Sequence, residues 1–304
     1  MKKWWFILLY PTHRRAGMAF GEALTILLII SGLYASLNIT GLINQILCTL
    51  LCISGGLFGA EFPDIDSPSS IPRRHHPIIG MLFTMFGVQH RGKFSHSILS
   101  QTIFWLFFAI VATLTINSVT GTYRALVAKI IIVIGLWQII STMLIFGEVL
   151  FKSDVLKNMQ LFKFLMFYMT EDKDIASEIH YRKLSKQAEL IHSVTALIFA
   201  GIIAMAIPND LTQISQMTLI YFLGVYFGVL SHLFCDISTY QGIWLGWRKQ
   251  IKPIQTLIRI PLLNLMIPDG GKTGGRWENR FRIMTSTIVI ILFFILITLL
   301  ANGK

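Results

Sequence analysis

Residues 42–61 read LINQILCTLLCISGGLFGAE, and the five that follow, 62–66, read FPDID. The first stretch carries no charge before Glu61. A bilayer core of about 30 Å needs roughly 20 mainly apolar residues in one helix, so 42–61 reads as a membrane span. Pro63 and Pro68 stop that helix and hold Asp64 and Asp66 in a turn near the membrane surface. Two carboxylates this close also occur in ordinary caps and turns, so the motif alone decides nothing about chemistry.

Working outward by the same rule, six more apolar stretches have the length of a span: about 17–37, 96–116, 127–150, 188–207, 217–235 and 283–301. The expected fold is all-α, a polytopic membrane bundle of about seven transmembrane helices. The apolar piece from Ile78 to Val88 is too brief to cross and is expected to re-enter or pack at the surface. Val155 to Met169 alternates Lys with Leu, Phe and Met, a pattern suited to a helix lying in the interface.

Composition agrees with this class. The chain has 304 residues, 54% hydrophobic and 13% charged, with mean hydropathy +0.65, whereas a soluble domain is about a quarter charged. The net charge of +11 fits nucleic acid, anionic lipid or positive-inside topology in principle. The apolar runs favour the membrane readings, and no nucleic-acid partner is expected. If the N-terminus is cytoplasmic, all of the 26 Lys and Arg except Arg124, Lys129 and Lys304 fall on the inner side, a strong orientation signal. The expected location is therefore a bacterial-type inner membrane. Met1 to Arg15 has no small-residue cleavage pattern, so it reads as part of the mature protein. Cys48, Cys52 and Cys235 lie in apolar runs and give neither a disulfide framework nor a zinc motif.

Four polar clusters stand at span ends that this topology places on one side: Thr12-His13, Asp64 and Asp66, HRGKFSHS at 90–97, and SHLFCD at 231–236. His232 and Asp236 are four apart, so a continuing helix stacks them on one face. Imidazole and carboxylate are the usual ligands of a catalytic zinc that keeps one position open for water, and bound zinc lowers the pKa of that water to about 7. His13, Asp64, His96, His232 and Asp236, with Asp66 and His90 as further members, are enough for one or two divalent ions, zinc first. Arg91 has the planar fork that suits phosphate or another anion. The bland reading is that all of these are caps and interfacial polar residues of a bundle with no ligand. Four clusters on one side weigh against it.

As a set these residues resemble the LexA-regulated, inner-membrane metal-dependent hydrolases of the YdjM-like family. The likeness rests on Thr12-His13, PDID at 63–66, HRGKFSHS at 90–97, and GVLSHLFCDISTYQG at 228–242, which follows the family pattern G-x-L-S-H-x-x-x-D-x-x-T-x-x-G. GGRWE at 274–278 is similar to the family's Gly-containing segment ending in Glu. The resemblance implies metal ligation by His13, Asp64, His96, His232 and Asp236. It implies that Asp66 and Glu278 are further ligands or acid/base groups, and that His90 and Arg91 support the ligands or hold substrate. It implies a hydrolase without naming its substrate; likeness of the His/Asp pattern to zinc phospholipases C is an analogy only. Two departures stand out: Ser67 follows PDID where the family often has His, and Ser95 stands where it has Thr. His75 and His76 are the candidates to supply a replaced imidazole. About 127–207 reads as an inserted hairpin with its loop, in a single membrane-embedded domain covering 1–304.

Several residues stand apart from this set. Glu22 lies inside the first span, nine residues from His13 and so on roughly the opposite helix face; a partner elsewhere is expected for it. His192 and Glu189 suit a structural pair, and His180 falls in the loop before them. Trp4, Trp5, Trp244, Trp247 and Trp277 read as an interfacial aromatic belt. The expected function is hydrolysis of a phosphoester or other anionic lipid or lipid-linked substrate, with membrane lipids as partners. Two alternatives come from other classes. One is a transporter using the His/Asp cluster, although such sites usually lie near the midplane of repeated folds and no repeat is visible. The other is a non-catalytic scaffold or regulator whose basic loops meet anionic lipid.

Overall fold

The computed structural model describes residues 5–37, 39, 41–118, 122–152, 186–207, 211–237, 242–247, 249–252 and 276–302. The described chain is mostly helical: α1 (Trp5–Ile30), α2 (Leu33–Ser36), α3 (Leu42–Glu61), a 3₁₀ turn (Phe62–Asp66), α4 (Ile71–His75), α5 (Pro77–Met85), α6 (Ile98–Ser118), α7 (Thr122–Lys152), α8 (Lys186–Ala206), α9 (Leu211–Ile237) and α10 (Arg276–Ala301). Between α9 and α10 a two-stranded antiparallel ribbon pairs β1 (Ile243–Trp244) with β2 (Gln250–Ile251).

Six of the seven stretches expected to span fall each on a single helix; among the described residues four helices are long and apolar enough to cross a membrane: Leu42–Asp66, Ala125–Leu144, Thr212–Ile237 and Arg280–Ala301. Ile98–Ala112 and Ile191–Ala206 are apolar and shorter. The stretch expected at 17–37 is not one helix. It is interrupted at Gly32, whose φ of +73° is left-handed, and α1, which forms its first part, begins before it and carries Arg14 and Arg15 as well as Glu22. Val155 to Met169 and His180 lie outside the described residues.

α3 and α9 form the most extensive helix pair and stand at the centre. α1 packs on both and on α10, α7 packs on α3, α9 and α8, and α6 packs on α9 and α7. Lipid is as apolar as leucine, so helices in a bilayer associate through close van der Waals packing, for which small residues are suited. That chemistry is visible here as three G-x-x-x-G faces: Gly17 and Gly21 on α1, Gly55 and Gly59 on α3, and Gly224 and Gly228 on α9. A Cβ on Gly59 would run into the Val225 carbonyl, and one on Gly228 into that of Gly56. On the periphery, Leu106 and Phe107 of α6, Ile198 and Ile202 of α8 and Phe294 of α10 are exposed, as lipid-facing positions should be. Cys48, Cys52 and Cys235 are buried thiols.

Candidate metal centre

Asp64 and Asp66 are positioned by Pro63. Lacking an N–H, proline cannot extend the α3 ladder, and the chain leaves α3 through a 3₁₀ turn. At three residues per turn, positions two apart point in different directions. Asp64 faces His96 and His232, with Oδ1 at 3.7 Å and 3.8 Å from their Nε2 atoms. Asp66 faces the other way, toward the 90–97 loop.

Along α9, the four-residue spacing stacks His232 and Asp236 as expected, with His232 Nε2 at 3.4 Å from Asp236 Oδ2. His96 Nε2 approaches the same oxygen at 3.3 Å. From α1, His13 brings its Nε2 to 3.9 Å from Asp236 Oδ1, and its ring stacks on that of His232 with centroids 3.9 Å apart. All five expected ligand residues are thus drawn together, in two groups suited to a cation: His13, His232 and Asp236, and Asp64, His96 and His232. His232 belongs to both. All but Asp64 are fully buried.

The hydrogen-bond pattern fixes which nitrogens face inward. His232 Nδ1 lies 2.7 Å from the Ala60 carbonyl; a carbonyl only accepts, so Nδ1 carries a proton, and whenever the ring is neutral its Nε2 presents a lone pair to the carboxylates. A relay does the same for His96. The Ser95 hydroxyl donates to Asp66 Oδ2 and therefore accepts from His96 Nδ1 at 3.0 Å, leaving His96 Nε2 bare. Neither Nε2 has a hydrogen-bond partner among the described residues, and a buried polar group without one costs about 1–3 kcal/mol. Second protons on both rings would place two imidazolium ions side by side, their centroids 5.3 Å apart, with His13 stacked against one of them. A cation among these lone pairs and carboxylates turns the repulsion into attraction. The donor set of imidazole nitrogen and carboxylate oxygen fits a divalent metal of the zinc type.

Asp66 acts behind this group. It accepts from His90 Nδ1 at 2.7 Å, from the Arg91 backbone N–H at 3.2 Å, and from Ser95. The bond that His90 donates to Asp66 raises the pKa of His90 above the ordinary histidine value. Arg91 sits at φ +54°, rare for a residue with a side chain. Both flanks of its backbone are held, the N–H by Asp66 and the carbonyl by Trp244 Nε1 at 3.3 Å. From there its Nη2 reaches Asp236 Oδ1 at 3.4 Å, while Nη1 is buried without a hydrogen-bond partner among the described residues.

Trp244 and Trp247, expected in an interfacial belt, also make hydrogen bonds within the protein. Trp244 N donates to the His96 carbonyl at 2.9 Å, and Trp247 Nε1 donates to Ser100 Oγ at 2.8 Å. The β1–β2 ribbon thereby clasps the loop that carries His90 to His96. Gly242, at φ +66°, lets it turn where a side chain would strike the Ile251 carbonyl.

Other expected residues are not at the centre. His76 lies with Glu61, its Nε2 at 3.1 Å from Oε2, and His75 is exposed, so neither takes the position of a missing ligand after PDID. Ser67 instead donates its backbone N–H to the Asp64 carbonyl. Glu278 is in the first turn of α10, with its side chain outside the described residues, as are those of Trp5, Trp277 and Glu189 and the whole of Trp4. Glu22 is buried on α1 and belongs to neither His/Asp group; its Oε2 has no hydrogen-bond partner among the described residues. His192 is half-buried on α8.

Sequence reasoning missed Glu61. It is buried between Arg14, whose Nε lies 3.1 Å from Oε1, and His76; the available signal was a single acid ending an otherwise uncharged span. No curated protein and no solved structure matches the chain. Over residues 171–303, the part that contributes His232 and Asp236, the chain matches the model of the YdjM inner membrane protein family, and this supports its likeness to the YdjM-like membrane proteins.

Proposed function

We propose that the chain is a membrane-embedded, metal-dependent hydrolase whose centre opens at the cytoplasmic face and acts on a phosphoester or other anionic group of a lipid or lipid-linked substrate. The observation that carries the reading is the convergence of the bare His96 and His232 Nε2 atoms with the Asp64 and Asp236 carboxylates at 3.3–3.8 Å. His13, Asp64, His96, His232 and Asp236 would hold one or two divalent ions, zinc before others by donor type. Such an ion supplies Lewis acidity and water activated at neutral pH.

The chain's own groups complete the chemistry. Asp66 keeps the proton on His90 Nδ1, which leaves His90 Nε2 to take a proton from water or return one to a leaving group. Arg91 directs its second amine, Nη1, to an anionic oxygen of the substrate while Nη2 stays with Asp236. Burial of His13, His96, His232 and Asp236 keeps bulk water from competing. The cytoplasmic orientation rests on the distribution of Lys and Arg along the sequence.

The test is metal analysis of detergent-purified protein, comparing the wild type with His232→Ala and Asp64→Ala. Bound metal in the wild type and its loss in both variants supports the reading. No metal in the wild type after supplementation with zinc or manganese overturns it.

A further inference from the structure

α5 has nine residues, about 13 Å at 1.5 Å per residue, less than half the depth of a bilayer core. One side of it is anchored: Phe83 is buried against Phe62 and Phe94, with ring centroids 5.3 Å and 6.0 Å away. The other side presents Ile78, Met81, Met85 and the following Phe86 at 70%, 54%, 72% and 78% exposure. An apolar face of this kind on a helix too short to cross belongs in the membrane interface, provided that its polar surroundings suit head groups.

They do. Between Ser67 and Lys93 the chain has no acidic residue, yet it carries Arg73, Arg74, Arg91 and Lys93. Arg73 is laid across α5 itself, its side chain covering Gly80 and its Nη2 donating to Thr84 Oγ1 at 2.6 Å. A cation is thus fixed on the same helix that exposes the apolar side chains, and Arg74 beside it is exposed. The hairpin also joins the two halves of the candidate centre, leaving Asp66 at one end and entering His90 and Arg91 at the other.

We propose that α4 and α5 seat an anionic phospholipid, its phosphate held by Arg73 and Arg74 and its acyl chains lying along Ile78, Met81, Met85 and Phe86, beside the mouth of the metal centre. The seat itself follows from exposure and charge; its part in delivering substrate rests on the hydrolase reading above. Charge complementarity decides the occupant, because an interfacial basic side chain shifts local lipid preference by about fivefold toward anionic head groups.

The test uses full-length Met85→Cys protein carrying a polarity-sensitive fluorophore, in nanodiscs of phosphatidylcholine doped with spin-labelled phosphatidylcholine or spin-labelled phosphatidylglycerol. The native cysteines are buried, and the chain without the added cysteine is the labelling blank. The expected result is membrane-like emission, quenched several-fold more by the anionic probe, with the preference reduced about fivefold by Arg74→Gln. Water-like emission, equal quenching by both probes, or self-quenching that grows with protein copies per disc overturns the proposal; the last places a second copy on this face. No turnover or metal is needed for the readout. A lipid preference in protein that binds no metal counts against the hydrolase reading alone, and equal quenching in metal-loaded protein counts against the lipid seat alone.

Discussion

Two buried clusters of carboxylate and imidazole lie within a few residues of each other at the end of α3, and they are built on opposite principles. Around Glu61, donors and acceptors match: Arg14 Nε meets one oxygen and His76 Nε2 the other, each at 3.1 Å. Three residues on, around Asp64, acceptors face acceptors, since the ring protons of His232 and His96 are committed to Ala60 and Ser95. A matched cluster is complete as protein and ties α1, α3 and the α4–α5 hairpin together. An acceptor-rich cluster is suited to a positive charge, of which Arg91 supplies one at Asp236. Composition alone does not separate the two; the direction of each N–H does.

The sharpest way to break this contrast is His232→Ala, which removes the atom common to both ligand groups. Metal affinity should fall by more than the roughly 10–100-fold that loss of a supporting residue costs, measured by competition with a chelating indicator. Glu61→Gln should do the reverse. Removing the charge of a buried ion pair costs on the order of 3 kcal/mol, so thermal stability in detergent should drop while metal stoichiometry stays the same. A variant that folds but loses its metal would erase the distinction between the clusters.

Ser95→Ala tests the relay that points His96 inward. Metal affinity should fall about 10–100-fold, and Ser95→Thr, which keeps the hydroxyl, should restore it. Equal affinity in the alanine variant would mean that the tautomer of His96 is set by something else. The smallest effect is expected from Trp244→Phe, which deletes one hydrogen bond to the Arg91 carbonyl. It should cost about 1 kcal/mol of stability and leave metal content unchanged, while loosening the loop detectably by hydrogen exchange at residues 90–96.

Much of this was legible in the chain. Apolar length marked the helices, and the i,i+4 spacing of His232 and Asp236 predicted their shared face. The placement of polar clusters at span ends was enough to group His13, Asp64, His96, His232 and Asp236. Three things were hidden for physical reasons. The break at Gly32 within the first expected span is a backbone event that hydropathy averages over. The bonds that Trp244 and Trp247 make to the Arg91 carbonyl and Ser100 are invisible in the sequence because an indole N–H serves a head group or a protein oxygen equally well. Glu61 resembles any charge at a span end until the folded chain reveals Arg14 and His76 on either side of it.

The glycine faces of α1, α3 and α9 have a consequence for the centre that they do not touch. His232 follows Gly228 by one helical turn, and Asp64 comes shortly after Gly59 on the neighbouring helix. The span between ligands on different helices is therefore gauged by hydrogen atoms where other residues carry methyl groups. Thickening either face would leave every ligand in the sequence and every helix intact, yet spread the imidazoles beyond the reach of a single ion.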